Sequence, residues 1–371
     1  MKLTANKKNL IDAMQIAASV IRIPPVSPIT QMAKITANDK KVKVEATSAE
    51  ENIVTAIDGV DIKQASDGET VLVDPKLIID ACKKSDGDEV VIEKDDNCPL
   101  AKMTIGKAKY NLNSPRTEDF PKFLKISDEN EFSMNMSDLA FIAKNIGYAA
   151  SRKGARPVLC GVFFSSDGNK LTCVATDSFR LSKKDFDIKS PAFAVVVPQK
   201  SLETACSVFK DEGKVRFRVT EKGIAILTDK TTYRSTLIMG KYPEVNRLFP
   251  TDYSLIVTAN KQEMIKSIDR AMLICGADVT PVIKLDIKDG AADLYCSNGE
   301  KGDYTEELDV ITKGDGIKIA LHPNYLRDIL KSCQSEFVQM KIVSDNKPIV
   351  VEPDDENDTH TGLVLPLRVY D

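Results

Sequence analysis

The 371-residue chain has two histidines, His322 and His360. A histidine-built metal centre or a Ser–His–Asp triad therefore has almost no material to work with. Neither a GxxxxGK[ST] loop nor a GxGxxG turn occurs, which removes the common phosphate-cradling devices. The eight cysteines (Cys82, Cys98, Cys160, Cys173, Cys206, Cys275, Cys296 and Cys333) form no CxxC pair. They sit in apolar or helical contexts and read as reduced small hydrophobes of a cytosolic protein. No apolar run approaches the roughly 18 residues of a membrane span. The opening MKLTANKKNLIDAM lacks the apolar stretch of a signal peptide. The acidic runs EKDDNC (93–98) and PDDEND (353–358) read as turns, not as paired catalytic carboxylates. These absences remove the commonest forms of enzymatic and metal chemistry without excluding catalysis, and they suit a cytoplasmic protein; no cofactor or metal is expected.

What is present is a repeat. A chain of this length exceeds one ordinary core and suggests two or three domains. SPITQMAKITANDKKVKVEAT (27–47), RPVLCGVFFSSDGNKLTCVAT (156–176) and TPVIKLDIKDGAADLYCSN (280–298) each place a proline second, then a strand, a polar turn and another strand. The prolines Pro28, Pro157 and Pro281 are 129 and 124 residues apart. DPKLIIDACKK, VPQKSLETACSVFK and HPNYLRDILKSC repeat a helix opening at Pro75, Pro198 and Pro323, spaced 123 and 125 residues. Upstream, NKKNLIDAMQIAASVI, SDLAFIAKNIGYAAS and NKQEMIKSIDRAMLIC read as amphipathic helices, with Asn6, Ser137 and Asn260 as N-caps. Closing strands are expected near DFPKF (119–123), KYPEV (241–245) and VLPLRV (364–369). The reading is α+β: three repeated domains, 1–126, 127–251 and 252–371, each with two helices against antiparallel sheet of roughly eight short strands.

Charge separates by element. The six helical segments together carry +9, so the remainder carries −13 to reach the chain's net −4. Helices of one sign in three repeats, placed on a common surface, would attract phosphates without reading bases. The DNA-facing candidates are Lys8, Arg22, Lys83, Lys84 and Lys144, with Arg152, Lys153, Lys200, Lys266 and Arg270.

The triple repeat, together with the strings VATDSFRLS (174–182), GKYPEVNRLFP (240–250), NKQEMIKSIDRAML (260–273) and LPLR (365–368), resembles the bacterial replication sliding clamps, the beta subunits of DNA polymerase III. The resemblance covers essentially the whole chain. It implies a head-to-tail homodimeric ring of six domains that encircles duplex DNA. The implied partners are the replicative polymerase, an ATP-driven clamp loader, and repair polymerases that insert a short peptide of glutamine-leucine-leucine-phenylalanine character into a hydrophobic cleft.

By motif, one side of that cleft is Leu159, Thr176, Asp177, Ser178, Phe179, Arg180 and Leu181. Pro243, Arg247 and Leu248 come from the following junction. Asn346 and Pro348 lie on a third-repeat strand, and His322 and Tyr325 flank from a helix start. Leu365, Pro366, Leu367 and Arg368 close the cleft from the tail. The chain departs from the family where Ser178–Phe179 replaces glycine-histidine and where Leu365 and Leu367 replace methionines. Val369, Tyr370 and Asp371 extend the tail, and an arginine usual near Pro24 is missing, with Arg22 as its substitute.

For ring closure, Leu273 and Ile274 at a helix end are expected to meet Ile78, Ala81 and Cys82 of another chain's first domain. Two alternatives accompany this reading: a monomeric clamp-like binding protein, and a specialised clamp of a plasmid or phage replicon.

Overall fold

Each repeat opens with a strand that ends in asparagine, and a helix starts at the next residue. Asn6 Oδ1 accepts the N–H groups of Lys8 and Asn9 at 2.9 and 3.4 Å. Asn260 Oδ1 accepts those of Gln262 and Glu263 at 3.0 and 3.2 Å. These bonds satisfy donors that a helix start leaves unpaired. In the middle repeat the strand Glu131–Asn135 ends at Asn135 and the helix begins at Met136. Ser137, expected as that cap, lies inside the helix.

The computed structural model describes residues 1–368 apart from 26, 39–40, 65–67, 96–97, 124, 128–130 and 277. The tail extension Val369, Tyr370 and Asp371 lies outside the described residues. The helices are α1 (Lys7–Ala18), α2 (Pro75–Lys84), α3 (Met136–Phe141), α4 (Gln199–Val208), α5 (Lys261–Cys275) and α6 (Pro323–Ser332). Among the described residues, nine strands precede residue 127 and eight fall in each of the next two stretches. The fold is α+β, with helices packed on antiparallel sheet.

The chain divides into two compact units, Met1–Ser137 with Lys200–Leu237, and Asp138–Gln199 with Ile238–Asp371. In the first unit, a five-stranded sheet ends on Ala108–Asn113, and an eight-stranded sheet combines strands of the first and second repeats. The joint is the pair Thr231–Thr236 with Glu51–Ile57, in which Tyr233 stands opposite Ile53. Tyr233 donates to Glu51 Oε1 at 2.6 Å, and Arg22 pairs with the same buried carboxylate. A buried charge without such partners would be costly. Leu10, Ala13, Met14 and Ala17 bury the expected face of α1, which packs on α2 and the strands Lys41–Thr47 and Glu51–Ile57.

The second unit contains one twelve-stranded antiparallel sheet. Its second-repeat and third-repeat strands join at Arg180–Phe186 and Thr361–Val364, with Arg180 opposite Val364 and Lys183 opposite Thr361. Beneath it, Ile268 of α5, Leu326 and Leu330 of α6, and Leu294, Val338 and Val351 of the sheet form one core. The segment after α3 widens into a π-turn at Ile142–Ile146 and then tightens at Gly147–Ala149. Leu139, Ile142, Ile146 and Ala149 remain buried throughout.

The three expected closing strands do not form. Segments 119–123, 241–245 and 365–368 are irregular, and each holds a proline that lacks the N–H a strand ladder needs. The last strand stops at Val364.

Candidate functional site

The hairpin Leu171–Thr176/Arg180–Phe186 turns through Asp177, Ser178 and Phe179. Asp177 Oδ1 accepts the N–H groups of Phe179 and Arg180, both at 3.0 Å. Thr176 Oγ1 accepts from Ser178 N at 3.1 Å and donates to Arg180 O at 2.7 Å. These side-chain bonds hold Ser178 at φ +81°, a left-handed conformation that glycine adopts with less strain. The turn projects Phe179 outward, leaving it 55% exposed.

Behind Phe179 stands an aromatic stack. Its ring centroid lies 6.1 Å from that of Tyr325, which stacks on His322 at 4.2 Å. The Arg180 guanidinium lies over Tyr325 at 4.8 Å and over Tyr148 at 5.3 Å. It donates to Asp177 at 3.0 Å and to Asp328 at 2.5 Å. Arg180 is thus a neutralised pillar between hairpin and α6, not a cation facing solvent. Burial, and then the Arg180 charge, hold the His322 imidazole below its ordinary pKa.

The tail crosses this wall. Leu365 N–H donates to Phe179 O at 2.9 Å, and Leu367 N–H donates to Ala320 O at 2.8 Å. The tail is therefore a tethered strap between a hairpin turn and the edge strand Ile317–Leu321. Leu365 is exposed, while Leu367 is half-buried. Below, Leu159, Val174, Leu181, Tyr242, Val245 and Leu363 form a small apolar floor. The ring of Tyr242 stacks on Phe163 at 4.8 Å. Leu248, 46% exposed, belongs to the junction segment that carries Tyr242 and Val245. Nearby Lys183 donates to Asn246 Oδ1 at 3.2 Å.

The structure brings most of the expected cleft residues together, in different roles. Leu159, Thr176 and Leu181 are buried. Asp177, Arg180, His322, Tyr325, Pro348, Pro366 and Leu367 are half-buried, whereas Ser178, Phe179, Pro243, Arg247, Leu248, Asn346, Leu365 and Arg368 are exposed. Arg247 pairs with Glu244 at 3.1 Å, both largely in solvent. Asn346, Leu367 and Arg368 line a separate cavity of about 630 Å³ beside Ala320 and Lys318. Sequence reasoning missed Phe163, Tyr242, Val245 and Leu363. Tyr242 and Val245 stood within the string KYPEV, and their spacing of three was the available signal.

Of the DNA-facing candidates, Lys8, Lys83, Lys84, Lys144, Arg152, Lys153, Lys200 and Lys266 are exposed. Arg22 is committed to Glu51, and Arg270 pairs with Glu306 and Tyr304. Those two are not simple phosphate-seeking cations.

The interface expectation needs correcting on one side. Ile78 and Cys82 are 0% exposed and Ala81 6%, so all three pack inside their own chain because they form the apolar face of α2. The apolar residue that α2 presents to solvent is Leu77, at 46%. Leu273 is 72% exposed, while Ile274 is half-buried against the third-repeat core.

Models of the DNA polymerase III beta subunit match this chain from its first residue to 368. The N-terminal domain model covers residues 1–124, the central domain model 133–244 and the C-terminal domain model 246–368. The chain belongs to the DNA polymerase III beta subunit family. Among curated relatives, the beta sliding clamp of Streptococcus pneumoniae serotype 4 is 32% identical over 271 residues, 72% of each chain. That of Staphylococcus aureus strain Mu50 is 27% identical over 340 residues, 91% of this chain and 88% of its own. Among solved structures, the beta chain of S. pneumoniae superposes with TM-score 0.94 at 27% identity, covering 99% of this chain and 100% of that one. The Bacillus subtilis sliding clamp gives 0.94 at 26% identity with both chains fully covered. As a family member this chain is a non-enzymatic processivity clamp. Among the described residues no helix is long and apolar enough to cross a membrane, and no cluster of potential metal ligands occurs.

Proposed function

We propose that the protein works in the cytoplasm as a closed homodimer around duplex DNA, and that the cleft below Phe179 and Leu365 holds peptides of the replicative polymerase, the clamp loader and repair polymerases. Three domains with boundaries near 126 and 251 underlie this reading. The observation that carries it is the pairing of a buried apolar floor with exposed Phe179, Leu248 and Leu365 in the same unit. Exposed large apolar side chains gathered near a floor are what a short peptide's anchors require. Two apolar peptide side chains gain roughly 3–6 kcal/mol on burial. Ordering costs then leave an affinity in the micromolar range.

Ring closure is best supported by strand edges. Among the described residues, Ala108–Asn113 pairs on one side only, with Leu100–Ile105. Gly302–Gly314 uses its second side only from Val310 onward, which leaves 302–309 unpaired there. Lys107 and Lys109 mark the first edge, Asp303 and Glu307 the second. Opposite charges on open edges favour edge-to-edge pairing between chains. DNA contact through scattered exposed lysines would be weak, salt-sensitive and blind to sequence.

Two measurements test the proposal. Sedimentation at micromolar concentration should give a dimer that Lys109→Glu weakens; a wild-type monomer ends the ring reading. Protein loaded on nicked circular DNA should fall off when the circle is cut, and retention on the linear product would contradict encirclement.

A further inference from the structure

The strand Thr361–Val364 is four residues long, and its Gly362 stands opposite Ser182. A side chain at 362 would force Ile329 to shift, because a Cβ there would sit 2.5 Å from Ile329 Cγ2. The strand pairs with Arg180–Phe186 on one side and Ile349–Pro353 on the other, and a one-residue slip would turn Leu363 away from the cleft floor. Four residues, one of them glycine, offer few side-chain pairs to hold that alignment, and a polar contact at the strand's start adds to them.

His360 immediately precedes this strand and is 0% exposed. Its Nε2 lies 2.9 Å from Ser182 Oγ. The single hydroxyl proton of Ser182 goes to the Asn145 carbonyl, also at 2.9 Å. Towards His360 the hydroxyl can only accept, so Nε2 carries the ring proton. Nδ1 is then a buried acceptor with no partner among the described residues. The Asn145 carbonyl lies at the end of the π-turn Ile142–Ile146, where the chain tightens into the turn Gly147–Ala149 and a helix's last carbonyls lose their helical donors. The Asn145 side chain in turn donates to Ser332 O at the end of α6, at 2.7 Å. Phe141 stands edge-on to the imidazole at 5.3 Å. An apolar side chain would fill this space without leaving a bare ring nitrogen. A polar chain that costs stability in this way gains its use through the one arrangement it permits.

We propose that Asn145, Ser182 and His360 form a register lock that sets Thr361–Val364 on Arg180–Phe186 and so places Phe179 and Leu365 for peptide binding. The inference rests on the cleft reading above. All three act as positioning residues: none of them belongs to the apolar floor, and the Leu365–Phe179 backbone bond continues the alignment of Val364 opposite Arg180.

The test uses the full-length protein and a synthetic ten-residue peptide with a Gln-Leu-Leu-Phe core, titrated well below the melting midpoint. Amide exchange of residues 361–367 is followed in parallel. His360→Ala and Ser182→Ala should each weaken binding about tenfold or more and speed exchange of the Leu365 amide by a similar factor. His360→Gln, whose amide N–H reaches Ser182, should bind within about threefold of wild type. Should His360→Ala not fold, Ser182→Ala carries the same test, since it keeps the ring and removes one hydroxyl. Phe179→Ala is the control for the cleft itself. If Phe179→Ala loses binding while Ser182→Ala and His360→Ala bind as wild type, the lock is refuted and the cleft stands. If Phe179→Ala also binds as wild type, the cleft reading falls, and the lock with it.

Discussion

Acid should destabilise this protein through His360 in a measurable way. Burial pushes its pKa down to about 4, and the neighbouring Asp358 carboxylate only partly opposes this, with Lys184 adding to the lowering. In the unfolded chain the imidazole titrates near about 6.5. Between those values the unfolded chain binds a proton that the folded chain refuses, so stability is full above about pH 6.5 and is lost as pH falls towards 4. At about 1.4 kcal/mol per pH unit the complete loss is about 3 kcal/mol, of which about 2 kcal/mol is reached by pH 5. Chemical denaturation of wild type and His360→Gln at pH 8, 6 and 5 isolates this contribution. The second histidine His322 titrates in both proteins and cancels in the comparison, while Asp358, its burial outweighed by the bond from Lys184, is held below the ordinary carboxylate range and stays ionised across this window. Wild type should lose about 2 kcal/mol more than the variant between pH 8 and 5. Equal losses would show that the buried ring does not exclude the proton, and the tautomer argument would go with it.

Other perturbations follow from the same geometry. Ser178→Gly should stabilise the protein by about 0.5–1 kcal/mol, read as a higher denaturation midpoint, because it relieves a left-handed serine. Arg180→Ala removes two carboxylate contacts and a cation between two tyrosines, and should cost about 2–3 kcal/mol in thermal or chemical unfolding. Gly362→Ala should destabilise by about 1–3 kcal/mol, since its methyl group meets Ile329. Removing 365–371 should abolish peptide binding in titration yet leave sedimentation as a dimer; unchanged affinity would place the groove elsewhere.

The repeat, its α+β character and its helices were legible because 3.6-residue periodicity and proline punctuation are local signals. Leu10 to Ala17 and Leu326 to Leu330 came out buried as their spacing required. Ser137 was misplaced because serine and asparagine cap equally well, and only the strand end at Asn135 distinguishes them. Ile78, Ala81 and Cys82 were offered to a partner because sequence does not say which apolar stripe of a short helix faces its own sheet. The strings proposed as cleft walls could be picked out in the sequence, but the apolar cluster beside them could not: Phe163, Tyr242 and Leu363 meet only after three distant segments have folded together. The polar cluster behind it was invisible for the same reason, since Ser182 lies 37 residues from Asn145 and 178 from His360.

The twelve-stranded sheet also bears on how such a chain can be cut. The units of sequence duplication are the three repeats, but the units of cohesion are offset from them, because each large sheet takes strands from two repeats. A fragment ended at residue 251 would remove Thr361–Val364 from beside Arg180–Phe186 and leave that hairpin with a bare, apolar-flanked edge. Duplication therefore produced modules that can be counted in the sequence but are not separable pieces of matter.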